Sequence, residues 1–162
     1  MQLREALLGT SNDARGWLRT WAGDFEQSEA KTTGNGTANP IAWQIGHLAC
    51  VEDDVICLFG GAPASTIPED VRSVCGSGCP TPGPDTTYPP LQELWRLLDG
   101  THERLVAMIE EAADADFDRP ALKENPYFHT FGQAVYETAL HETYHVGEIA
   151  TLRKAIGKER IG

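Results

Sequence analysis

The chain has 162 residues, 41% hydrophobic and 23% charged, which is about one domain of ordinary globular composition and excludes the disordered and fibrous classes. Thirteen Lys and Arg against twenty-four Asp and Glu give a net charge of −11, the wrong sign for gripping a phosphate backbone over a broad surface, so no nucleic acid partner is expected. Nowhere do about 18 apolar residues run together, and the start MQLREALLGTSNDARGW has no apolar core of signal-peptide length, so a cytoplasmic protein with no membrane partner is expected.

In chain order, Leu3, Leu7, Ala14, Trp17, Leu18, Trp21 and Phe25 fall on one amphipathic helical stripe, helix one. Asn39 and Pro40 read as N-cap and first helical residue of helix two, which runs from Ile41 to Phe59 and stops at Gly60-Gly61. From Gly61 to Pro90 the chain holds seven of its ten prolines and no apolar period, so this stretch reads as irregular, and it is too long for an ordinary loop. Leu91, Leu94, Leu98, Leu105 and Ile109 restore the stripe as helix three, which fades in the acidic segment Glu110 to Asp118. Thr130 and Gln133 make the T-x-x-Q capping box that opens helix four, Phe131 to Ala155. No alternating run suggests a strand and no second boundary appears, so the expected fold is all-α, an antiparallel four-helix bundle over residues 1–162 with a long crossover between helices two and three.

Four cysteines are too sparse for a disulfide scaffold. Cys50 and Cys57 stand seven apart on helix two, roughly 10 Å along its axis, too far to bridge. Cys75 and Cys79, in CGSGC, have a spacing that allows a small closed loop or a metal half-site but fits neither C-x-x-C nor a zinc ribbon, and the reading favours free thiols.

The chemistry concentrates in histidines. His141 and His145 in HETYH stand one turn apart on a helix, so both imidazoles can reach one cation. HETYH also fits H-E-x-x-H, in which the Glu is a zinc protease's general base. That hydrolase reading is a remote one: only seventeen residues follow His145, and they offer just Glu148 and Glu159 as a third ligand. The better third ligand is upstream, at His47 in AWQIGHLAC, on an apolar stretch of helix two.

Trp43-x-x-Gly46-His47-Leu48 on helix two, together with His141-x-x-x-His145-x-Gly147-Glu148-Ile149-x-x-Leu152-Arg153, resembles the DinB-like family of four-helix-bundle metalloproteins over nearly the whole chain. The resemblance implies a divalent metal, zinc or nickel, held by His47, His141 and His145. It also implies a small-molecule substrate, since some family members resemble transferases and isomerases that use mycothiol, bacillithiol or a related low-molecular-weight thiol. Three neutral imidazoles leave an open coordination position, as catalytic zinc sites do. Two functions are carried forward: an enzyme that activates a thiol or water for transfer, and a non-catalytic stress-response or interaction protein whose metal only ties helices together. A homodimer is one assembly left open.

Around the triad, Asp54 and Glu148 each lie seven residues beyond a histidine and are candidate hydrogen-bond partners of the ligands. Glu142 points about 100° away from His141, toward solvent or a partner subunit. Trp43 and Tyr144 are expected to pack in the core, and His102 and His129 to stay outside the metal set in surface or capping roles. Arg153 fits an acidic substrate group or the helix dipole equally well. The crossover is expected to act as a lid, with residues 70–84 removable without loss of metal binding or stability.

Overall fold

The computed structural model describes residues 2–34, 36, 38–60, 65–159 and 161. Five α-helices follow in order: α1 (Leu3–Ala22), α2 (Ile41–Phe59), α3 (Glu69–Cys75), α4 (Leu91–Glu111) and α5 (Phe131–Ala155). Short 3-10 turns occupy Gln27–Glu29 and Asp114–Asp118. Among the described residues there is no strand, only an isolated bridge between Pro120 and Thr130.

The four long helices are those the apolar periods indicate. α1 stops at Ala22, short of Phe25, and Pro40 takes the cap position of α2 in place of Asn39, with its backbone extended (ψ 144°). Trp17, counted on the stripe of α1, is 61% exposed. At α5, Thr130 Oγ1 accepts from Gln133 N–H as the capping box requires, but Gln133 Oε1 accepts from the backbone of His129 instead of Thr130.

The crossover is not irregular throughout, which corrects the expectation. Pro68 caps α3, Glu69 and Asp70 place negative charge in its first turn, and Val71 and Cys75, one turn apart, are buried in the same core as α2. Seven residues are too few to display a period or to form a stable helix alone; docking on α2 holds this one. Arg72 clamps it, donating to Asp53 Oδ2 at 2.5 Å and to Asp54 Oδ1 at 2.8 Å. Gly46 permits the approach: a Cβ there would lie 2.6 Å from Cys75 Sγ. Residues 61–64, the start of the crossover, lie outside the described residues.

The core divides into two apolar clusters. One gathers Leu18, Ile41, Ile45, Leu48, Leu94 and Ile149; the other gathers Leu7, Val55, Phe59, Leu105, Phe117 and Phe131. Between them on every long helix falls a buried polar residue: Arg15 on α1, Glu52 on α2, Thr101 on α4 and Glu142 on α5. Arg15 joins all three neighbours. Its Nε donates to Glu142 Oε1 at 2.6 Å, its Nη2 to Glu52 Oε1 at 3.0 Å and its Nη1 to the Leu98 carbonyl at 3.1 Å. Thr101 Oγ1 donates to Glu52 Oε2 at 2.8 Å, and His102 Nδ1 lies 3.0 Å from Glu52 Oε1. Burial works against the Arg15 charge, but the flanking Glu52 and Glu142 carboxylates hold its pKa above the usual value. Burial, with Glu52 adding to it, pushes the Glu142 carboxyl above the ordinary range in spite of Arg15.

Contacts advance in step along α1 and α5, where Arg15 meets Glu142 and the Trp21 carbonyl meets Arg153. They do so again along α2 and α4, where Gly46 lies against Leu94 and Glu52 meets Thr101. They run in opposite order along α2 and α5, where Gln44 meets His145 and Phe59 meets Phe131. Among the described residues no helix is long and apolar enough to cross a membrane.

Candidate metal centre

His47, His141 and His145 come together. Each offers one ligand atom, and the three atoms lie within 4.8 Å of one another. α5 places His141 and His145 one turn apart with their Nε2 atoms 3.1 Å from each other, and α2 brings His47 against both, ring centroids 5.1 and 5.5 Å away. The clasp on Arg15 sets the rotation of α5: with Glu142 turned to α1, the residues flanking it by one and three positions turn to α2.

The rings are held in chemically defined states. His47 Nδ1 lies 2.8 Å from the Cys75 carbonyl, which can only accept, so that nitrogen carries the proton and Nε2 keeps a lone pair. Trp43 stacks on the same ring, centroids 4.4 Å apart and planes within 11°. His145 Nδ1 lies 3.2 Å from Gln44 Oε1. Burial lowers the pKa of His47. It takes His141 to about 4, with His47 adding to the effect, and His145 to about 3, with His141 and His47 adding to it. All three are therefore neutral at physiological pH, and neutral imidazole nitrogens converging at this spacing fit a divalent cation. Among the described residues the cluster contains no fourth ligand atom.

The neighbours differ from expectation in several places. Asp54 is turned to Arg72, and the hydrogen bond expected of it on His47 is made by the Cys75 carbonyl. Glu148 Oε2 approaches His145 Nδ1 to 2.9 Å but makes no hydrogen bond. Burial pushes its carboxyl upward. Glu142 faces neither solvent nor a partner but the core, committed to Arg15, which removes it as the base of an H-E-x-x-H hydrolase. Tyr144, expected in the core, is 63% exposed, whereas Trp43 is half-buried against the site. His102 joins the Glu52 network, while exposed His129 sits at the cap of α5. Arg153 lies in the last turn of α5, as the dipole alternative has it, and, buried there, it pairs with Asp24 and donates to the Trp21 and Glu159 carbonyls.

All four cysteines are free thiols. Cys79 Sγ lies 3.5 Å from Trp43 Nε1 and donates to the Val74 carbonyl. Because Cys75 holds His47 and Val71 and Cys75 are buried on α2, removing residues 70–84 takes away part of the site and of the core, contrary to expectation. A cleft of about 540 Å3 opens beside the triad, walled by His141 and Thr138 of α5, Val51, Asp54 and Leu58 of α2, Ser77 of the crossover, and Phe128.

A family model described as the DinB superfamily matches residues 12–149, a span that includes all three histidines. The chain belongs to the DinB superfamily. No curated protein matches it. Sequence reasoning missed the Arg15–Glu52–Glu142 network and the Gln44 contact, although polar residues inside the apolar runs of helices one and two are the signal that marks both.

Proposed function

We propose that this DinB-superfamily chain is a metal-dependent enzyme in which His47, His141 and His145 hold one divalent ion, zinc or nickel. Its substrate is a small molecule paired with a low-molecular-weight thiol, in an S-transfer or isomerisation. The observation that carries the reading is the convergence of three neutral ring nitrogens within 4.8 Å, with no fourth ligand atom among the described residues. When bound, a divalent ion at such a site supplies Lewis-acid activation of a thiol or water at neutral pH. The chain's own residues do the rest. The Cys75 carbonyl orients His47, Trp43 covers one face of its ring, and the cleft beside His141 admits a substrate of drug-like size against Val51, Leu58 and Phe128.

The same reading takes the four long helices as an antiparallel bundle in which α1 and α5 run together against α2 and α4, with residues 61–90 as the crossover. Exposed Trp17, Tyr136, Leu140 and Tyr144 support a homodimer, and a cytoplasmic setting suits the free thiols. A metal serving only to tie helices is the weaker reading, because Arg15 already joins the helices across the core. Bound-metal analysis followed by a thiol-conjugation screen tests the proposal. Stoichiometric metal with metal-dependent thiol turnover is expected, and a protein that binds metal without turning over any thiol would favour the structural role.

A further inference from the structure

We propose that Gln44 is a positioning residue for this centre: its side-chain amide fixes His145 in the Nδ1–H tautomer and turns Nε2 toward the other two histidines. Gln44 is fully buried on α2, three residues before His47, among Ile41, Ile45 and Ala49. A polar side chain at such a place requires partners. Its Nε2 donates to the Asn39 carbonyl at 2.8 Å. A carbonyl has no proton to give, so the amide cannot be flipped without setting two acceptors against each other. Oε1 therefore faces His145 Nδ1 at 3.2 Å, and since Oε1 only accepts, Nδ1 must carry the hydrogen. His145 Nε2 is left as a lone-pair nitrogen 3.1 Å from His141 Nε2.

Glu148 Oε2 is the competing partner, at 2.9 Å from the same nitrogen, yet it makes no hydrogen bond and sits on the same helix one turn away. Gln44 reaches across from α2, so its amide also locks the rotation of α5 against the helix that supplies His47. The inference rests on the metal-centre reading for its purpose but not for its test.

The experiment is a long-range 1H–15N correlation spectrum of the metal-free protein at neutral pH, which reads the tautomer of His145 directly, together with zinc affinity measured by chelator competition. Wild type and Glu148→Gln should show the Nδ1–H tautomer. Gln44→Met should shift population to Nε2–H and weaken zinc about 10–100-fold, the usual loss when a ligand's hydrogen-bond partner is removed. Gln44→Glu, kept protonated by full burial so that one oxygen still donates to the Asn39 carbonyl while the other accepts from Nδ1, should return the Nδ1–H tautomer and recover most of the affinity. An Nε2–H tautomer in wild type overturns the proposal even if Gln44→Met does not fold; so does an unchanged spectrum in Gln44→Met, or an equal shift in Glu148→Gln. A tautomer that responds to Gln44 in a protein that takes up no zinc would sink the metal reading and leave the positioning role intact.

Discussion

Replacing Arg15 with Met removes the cation that faces the buried Glu52 and Glu142 carboxylates while keeping most of the side chain's volume. Glu52 and Glu142 have side chains only 3% exposed, and both rely on Arg15 at 3.0 and 2.6 Å. Breaking a buried ion pair by deleting one partner costs about 3–5 kcal/mol, more than the 0–1 of a surface pair. At about 2–4 °C per kcal/mol for a domain of this size, the melting temperature should fall by roughly 6–20 °C at neutral pH. The deficit must also depend on pH. Burial already raises the Glu142 pKa, and losing Arg15 raises it further. A carboxyl whose folded pKa lies above its unfolded value contributes stability at low pH that is lost as pH rises through the folded pKa. The gap between variant and wild type should therefore widen from about pH 5 to about pH 8. Thermal melts followed by circular dichroism across that range measure it, and taking the difference cancels the titrations of His47, His141 and His145, none of which contacts Arg15. A gap under about 1 kcal/mol at neutral pH, or one that narrows as pH rises, would refute the reasoning.

Gly46→Ala should cost about 1–3 kcal/mol by driving a Cβ into Cys75 Sγ, and should weaken zinc binding because α3 carries the carbonyl that holds His47; calorimetric titration and melts check both. Glu142→Gln should lower the melting temperature while leaving zinc stoichiometry unchanged, as expected of a core ion pair and not of a catalytic base. The metal-free protein should lose stability as pH falls from about 6.5 toward about 4, because the unfolded chain takes up protons on histidines near pKa 6.5 that the fold holds neutral down to about 4 at His141 and about 3 at His145. Glu142 and Glu148 oppose this by at most one proton each and are outweighed by three histidines; denaturant titrations showing a flat or rising stability on acidification would contradict it.

The long helices and the His141–His145 pair were legible because both rest on spacing within one chain segment, while His47, 94 residues before His141, stood out as a histidine on an apolar stretch and was joined to the pair by the family resemblance. Leu91, Leu94 and Leu98 repeat at helical steps, and His141 and His145 share a face by geometry alone. What escaped the sequence depends on partners far apart in it. Glu142 sits in a zinc-protease pattern, and only the position of Arg15, 127 residues away, shows it to be a core ion pair. Asp54 has the right helical direction to support His47, but Arg72 on a helix too short to show a period takes its carboxylate. The support His47 does receive is a backbone carbonyl, which no side-chain pattern encodes. Arg153 looked available because Asp24, its partner, lies beyond the end of α1.

Cobalt(II) titration of metal-free protein, followed by visible absorption, tests the central claim most directly, with His47→Ala as the deciding variant because His47 alone comes from α2. One equivalent should bind in wild type with the intense d–d bands of a low-coordinate nitrogen site, and His47→Ala should abolish or shift those bands while the helical signal is kept. Absence of saturable binding in wild type, or an identical spectrum and affinity in His47→Ala, would contradict the account.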